Sequence, residues 1–270
     1  MEIDHQDLTF KCSDGTDMVA FLSRPKNANE ENARPGVIVI HEAYGLNEQI
    51  KGVARRYAEQ GFVAIAPNLF TRNSDVMNEK NIESAMRPMW AIPPEKRSDP
   101  SAIQELMKSM TETQGKVVEI FFKGREKMEE QMIKDLLSCK DFVQHLAYVK
   151  KGKLGVTGFC LGGGLTFQLS TVYSFGACVP FYGANPKPLE SIERISSPIL
   201  AFYAGEDSGI NSGLPSLVEA MVKHKKDFQM KLYKGANHSF FNETRPVYNK
   251  DAANDAWESA VSFFNKHLTK

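Results

Sequence analysis

Gly155-Val-Thr-Gly158-Phe-Cys160-Leu-Gly162-Gly-Gly164 is the stretch on which the fold turns. It leaves a short apolar run at 154–157, which reads as a strand, and enters a helical pattern at 161–171. Glycine two places before and two places after Cys160 permits a tight strand-to-helix turn, with the cysteine in strained backbone angles and neighbouring chain passing close by. A helix starting at residue 161 points its free N–H groups and positive dipole end at the sulfur. That setting favours a thiolate and lets the Leu161 N–H stabilise an oxyanion.

Working outward, short runs rich in β-branched and apolar residues recur at 18–22, 37–40, 63–66, 177–181, 199–203 and 229–233. Several are almost wholly apolar, as expected of parallel strands covered on both faces. Amphipathic helical stretches at 47–60, 161–171, 212–227 and 251–267 alternate with them. The order implies right-handed crossovers and a doubly wound, mostly parallel α/β sheet in a single domain spanning 1–270. Residues 10–22, broken by Ser13-Asp-Gly-Thr16, read instead as an antiparallel hairpin at the leading edge. The segment at about 71–127, with Pro88, Pro93, Pro94 and Pro100, is too long for one crossover. It is expected to form a helical excursion, either a candidate lid or an enlargement of one helical layer, before a crossover helix at 127–148.

A thiol nucleophile needs a base within hydrogen-bonding reach, and the base needs a carboxylate to fix its tautomer. Glu206 and Asp207 follow the strand at 199–203, and spacing alone does not choose between them. His238 follows the next strand in Lys234-Gly-Ala-Asn-His238-Ser-Phe. Nucleophile, acid, histidine is the chain order of the α/β-hydrolase arrangement. His41-Glu42-Ala43 also follows an apolar strand, where the second oxyanion N–H is expected, at Ala43. Glu42 would then be a second carboxylate near the sulfur, opposing its ionisation. The plainer reading is that His41 and Glu42 cap the next helix.

The 270 residues carry 33 Lys+Arg and 33 Asp+Glu, so the net charge is zero. Neither nucleic acid nor an anionic membrane surface is an expected partner without a basic excess. At 42% hydrophobic and 24% charged the composition is that of an ordinary globular chain. The longest apolar runs, such as 35–40, fall far short of the roughly 20 residues that cross a bilayer. The acidic start shows no secretory pattern, so a reducing cytoplasm is expected. Cys12, Cys139 and Cys178 are scattered, form no C-x-x-C pair, and are expected to be structural; no zinc site follows from their spacing.

His41-Glu-Ala-Tyr-Gly-Leu-Asn47, Gly61-Phe-Val-Ala-Ile-Ala-Pro-Asn-Leu-Phe70, Gly158-Phe-Cys-Leu-Gly-Gly163, Gly205-Glu-Asp-Ser-Gly-Ile210 and Gly235-Ala-Asn-His-Ser-Phe240 together resemble the dienelactone hydrolase (carboxymethylenebutenolidase) family over most of the chain. The resemblance implies an α/β-hydrolase fold without a cofactor, acting on a small-molecule enol lactone or related ester. It implies Cys160 as nucleophile, His238 as base, Asp207 as orienting acid, and Glu42 as the carboxylate that pairs with the resting thiol until substrate displaces it. The family's arginine four residues after the histidine is replaced by Asn242, which takes that place as a candidate for substrate binding; Arg245 is the nearest arginine, and Arg72, Arg87 and Arg97 are further candidates for holding a substrate carboxylate. The alternatives are a general carboxylesterase or hydrolase of another lactone, and a non-catalytic ligand-binding protein on the same scaffold.

Overall fold

The computed structural model describes residues 1–92 and 99–270. Strands β1 (Ile3–Lys11) and β2 (Asp17–Pro25) form the leading hairpin. They are followed by β3 (Arg34–Ile40), β4 (Val63–Pro67), β5 (Val149–Phe159), β6 (Ala177–Phe181), β7 (Ile199–Ala204) and β8 (Phe228–Tyr233). The sheet order is β1-β2-β4-β3-β5-β6-β7-β8. β2 runs antiparallel to β1 and β4, and all later neighbours are parallel.

Alternation along the central strands divides their side chains between two cores. Ile38 and Ile40 of β3, Val63 and Ile65 of β4, and Ile199 and Ala201 of β7 face one side. Val37 and Val39, Ala64 and Ala66, and Leu200 and Phe202 face the other. A sheet apolar on both faces must be covered twice, which is why these strands read as unbroken apolar runs. Helix α1 (Glu48–Glu59) covers the second face with Ile50, Val53, Ala54 and Tyr57, spaced at one helical stripe. Each fully buried residue of the Val or Ile kind contributes about 1.5–3 kcal/mol. Asn47 starts this helix by accepting the Ile50 N–H at 3.2 Å, so the cap lies beyond His41 and Glu42, and the plainer reading of those two is corrected.

The excursion contains α2 (Glu79–Ala91), α3 (Pro100–Lys108) and α4 (Glu112–Phe122), and α5 (Arg125–His145) then crosses back to β5. Ile82, Met86 and Met89 of α2 and Val117 and Val118 of α4 are buried in the same core as Leu136 and Val143 of α5. These helices thicken one helical layer. Beyond β5 the chain adds α6 (Leu161–Ser170), a one-turn α7 (Ser208–Asn211), α8 (Leu214–Lys223) and α9 (Lys250–Leu268).

Candidate active site

Parallel strands put their C-terminal ends on one edge of the sheet, and the chemistry-bearing side chains lie in the loops there. At the end of β5, Cys160 has φ 54° and ψ −112°, a conformation costing an L-residue about 1–3 kcal/mol. Close packing sustains it. A Cβ on Gly158 would lie 2.7 Å from Thr166 Oγ1 and nearer still to the Gly162 carbonyl. A Cβ on Gly162 would lie 2.7 Å from the His41 carbonyl oxygen and nearer still to that of Ile40. Both positions therefore require glycine, and the second presses the start of α6 against the end of β3. That contact brings the Leu161 and Ala43 segments together.

β7 and β8 pair with Ala204 opposite Tyr233, so the loops that follow them emerge side by side. There His238 Nδ1 lies 2.5 Å from Asp207 Oδ2. Asp207 Oδ1 also accepts the Ile210 N–H at 3.4 Å, which fixes the carboxylate at the start of α7. Glu206 turns elsewhere and accepts the Gly235 N–H at 3.1 Å. The imidazole is also hydrogen-bonded to the Cys160 side chain. Burial works against charge on this ring, but the Cys160 sulfur and the Asp207 carboxylate outweigh it and push His238 up to about 11. The ring is thus held as an imidazolium between the Asp207 carboxylate and the Cys160 side chain.

His41 is a different kind of histidine. It is wholly buried; Nε2 accepts the Leu69 N–H at 3.1 Å, which leaves Nδ1 to donate to the Glu42 carbonyl at 2.6 Å. Burial pushes it down to about 4, so it stays neutral and holds the loop that carries Glu42 and Ala43. The Glu42 carboxylate is 4% exposed. Oε1 accepts the Tyr182 hydroxyl at 3.1 Å and Oε2 accepts Asn242 Nδ2 at 2.7 Å. Tyr182 follows β6 with φ 37°, and its ring centroid lies 5.0 Å from that of His238. Burial, then the charges of Glu42 and Cys160, hold its phenol well above the ordinary value, so it remains a donor. Sequence reasoning missed Tyr182. Its one local signal was a polar aromatic beside Gly183, just past a central strand.

The candidates for substrate recognition fare differently. Asn242 is 2% exposed, and its Oδ1 accepts the Thr244 N–H at 3.0 Å and hydroxyl at 2.7 Å. With Nδ2 on Glu42 and Oδ1 on Thr244, its amide is engaged at both ends and holds a neighbour in place. Arg72 is fully engaged: all five of its N–H donors are taken by Asp14, Thr16 and Asp135. None is left for a substrate anion. Arg87 is exposed on α2, and Arg97 lies outside the described residues. Arg245 places its guanidinium 4.0 Å from the Tyr44 ring centroid and donates to Glu83 Oε1 at 3.0 Å, tying the histidine loop to α2.

Cys12, Cys139 and Cys178 are buried, and burial raises all three thiols, Cys12 to about 11 and Cys178 to about 12. Such thiols are poor nucleophiles. Cys160 alone of the four is partly exposed.

Comparison with known proteins agrees with this architecture. A family model described as "Dienelactone hydrolase family" matches residues 18–268. A Saccharolobus solfataricus protein named "Putative carboxymethylenebutenolidase" is 49% identical over 257 residues, covering 95% of this chain and 97% of its own. "Protein usf" of Aquifex pyrophilus is 31% identical over 242 residues, 87% of this chain and 89% of its own. The crystal structure of a "Putative Dienelactone Hydrolase" from Klebsiella pneumoniae shares the fold at a TM-score of 0.74, with 23% identity and coverage of 98% of this chain and 100% of that one. Among the described residues no helix is long and apolar enough to cross a membrane. By its sequence the chain belongs to the dienelactone hydrolase family, hydrolases built on the α/β-hydrolase fold that its sheet displays.

Proposed function

We propose that this protein hydrolyses an enol lactone or activated ester through a Cys160–His238–Asp207 triad and a thioester intermediate. One observation carries the reading: His238 lies between the Asp207 carboxylate, 2.5 Å from Nδ1, and the side chain of a cysteine in the strained turn that opens α6. The Cys160 thiolate attacks the carbonyl carbon, a C–S bond forms, and the carbonyl electron pair moves to oxygen, which rests on the Leu161 and Ala43 N–H groups. The carbonyl re-forms, the ester C–O bond breaks, and His238 Nε2 gives its proton to the departing oxygen. Water then loses a proton to Nε2 as it attacks the thioester, and the thiolate leaves with the C–S pair. Asp207 keeps Nδ1–H in place throughout.

A thiolate is a weak base that is itself readily expelled, so the leaving group must be good, as an enolate is. Amides are correspondingly poor substrates. A thiol nucleophile suits a reducing, cytoplasmic setting. The test is hydrolysis of dienelactone and p-nitrophenyl acetate by the wild type and by Cys160→Ala. A fall of at least about 10³-fold in kcat/KM is expected for the variant, as for loss of a triad member. Undiminished turnover discards the assignment.

A further inference from the structure

We infer that the open edge of β8, with Val218 and Val222 of α8 beside it, is where a second copy of this chain docks. The two β8 strands pair antiparallel about a two-fold axis at Met230, joining two eight-stranded sheets into one.

β8 ends the sheet, and among the described residues no strand pairs with its outer edge. The Asp227 carbonyl accepts the Ile199 N–H at 2.9 Å and the Tyr233 carbonyl accepts the Gly205 N–H at 2.8 Å, so the odd-numbered residues here bond to β7. The N–H and C=O groups of Phe228, Met230 and Leu232 therefore point outward. The same three side chains lie on the α8 side of the sheet: Met230 is opposite Ala201 and Leu232 opposite Tyr203, which share a core with Leu217 and Met221 of that helix. Gly213, just before α8, accepts from Asn185 after β6 at 2.8 Å, so the other flank of the helix, with Val218 and Val222, overlooks β8. Val222 is 72% exposed and Leu232 50%, and Val218 and Met230 between them are exposed too. The far edge of the sheet is guarded, because β1 exposes Asp4, Asp7 and Lys11, the usual defence against stray pairing. The one charge of β8, Lys231, is on the opposite face and is bound to Asp255.

The strand is complementary to itself. Reversed about Met230, Phe228 meets Leu232 of the second copy, Met230 meets its own counterpart, and Gln229 meets Lys231, so apolar falls on apolar and an amide oxygen on an ammonium. The outward-pointing residues are then the ones set opposite each other, and each such pair exchanges both ladder bonds. A register centred on Lys231 would instead place two ammonium groups face to face. Beyond the strand ends Lys226 would approach Lys234 of the second copy, but its ammonium is turned to the Glu193 carbonyl at 2.7 Å. The same axis brings the valines of both α8 helices to one side of the joined sheet, over the two Met230 side chains. With a net charge of zero, no long-range repulsion holds two copies apart.

The test is sedimentation equilibrium of the full chain at neutral pH. The wild type is expected at twice the chain mass, with a Kd of about 10 μM or tighter. Met230→Pro removes an N–H that a single copy does not use, at an edge where proline is tolerated, but denies it to the second copy. Leu232→Lys sets a charge in the apolar strip. Each is expected to weaken the dimer at least about tenfold, while Val172→Lys, at an exposed valine outside the strip, leaves it unchanged. Far-ultraviolet circular dichroism matching the wild type identifies the folded variants. With oxidised glutathione, Met230→Cys is expected to link two copies through residue 230, read by peptide mass spectrometry, and Lys231→Cys is expected not to link through residue 231. A monomeric wild type overturns the inference and leaves the edge to a different partner. A dimer that withstands the folded variants, or one linked through residue 231 in place of 230, overturns it as well.

Discussion

Replacing Gly162 by alanine separates the geometry of the elbow from its chemistry, because no side chain of the proposed triad is touched. The added Cβ would meet the His41 carbonyl oxygen at 2.7 Å and that of Ile40 at a shorter distance. Real Cβ atoms do not approach closer than 3.0 Å, and both obstacles are backbone, which cannot rotate away. The start of α6 must therefore withdraw from β3 by several tenths of an ångström. Overpacking of this kind costs about 1–3 kcal/mol. At this chain length each kcal/mol lowers Tm by about 2–4 °C. The same withdrawal parts the Leu161 and Ala43 N–H groups that would share the oxyanion. Losing one such donor costs about 10²–10³ in kcat, and a misplacement approaching 1 Å about 10². A fall of about 10²-fold in kcat/KM on p-nitrophenyl acetate is expected, measured beside thermal unfolding by circular dichroism. Gly164→Ala is the control. Two residues further into α6, its Cβ would meet nothing nearer than the Ala184 nitrogen at 3.5 Å, an ordinary contact. Alanine is also the better helix former, by up to about 1 kcal/mol. That variant is expected to keep kcat/KM within about threefold and to unfold no earlier than the wild type. Equal effects from the two substitutions, or full activity in Gly162→Ala, would refute the idea that this close approach sets the oxyanion site.

Arg72→Ala leaves the Asp135 carboxylate, only 2% exposed, without its guanidinium, and is expected to cost about 3 kcal/mol in urea unfolding while kcat/KM per folded molecule holds. A stable variant with activity lowered by orders of magnitude would instead make Arg72 a substrate ligand. His41 is pushed down to about 4 by burial, so the unfolded chain takes up its proton first as pH falls, and stability present above pH 6.5 is lost on the way to pH 4. At about 1.4 kcal/mol per pH unit that loss reaches about 3 kcal/mol, and it should be much reduced in His41→Asn; an identical pH profile in the variant would exclude His41 as the source.

The parts of this molecule that sequence discloses are those whose physics is local or fixed by topology. The apolar runs announce β3 to β7 because each must bury both faces. The elbow is legible because a strained turn demands glycine at set offsets from Cys160. Asp207 and His238 are 31 residues apart, yet both follow neighbouring parallel strands, whose ends must meet at one edge of the sheet. What sequence does not disclose is which polar groups are already satisfied. Arg72 reads as a free cation until Asp14, 58 residues before it, and Asp135, 63 after it, close around the guanidinium. Asn242 reads as a place in a substrate pocket until its amide meets Glu42, 200 residues away. Tyr182 gave only the faint signal of a polar aromatic past a strand, because its role depends on a backbone turn at φ 37° that carries its hydroxyl to Glu42. The proposed triad follows from motif and topology. Which of the surrounding polar groups remain free for a substrate depends on contacts that only the folded chain makes: Glu42 is already held by two donors, and every donor of Arg72 is taken.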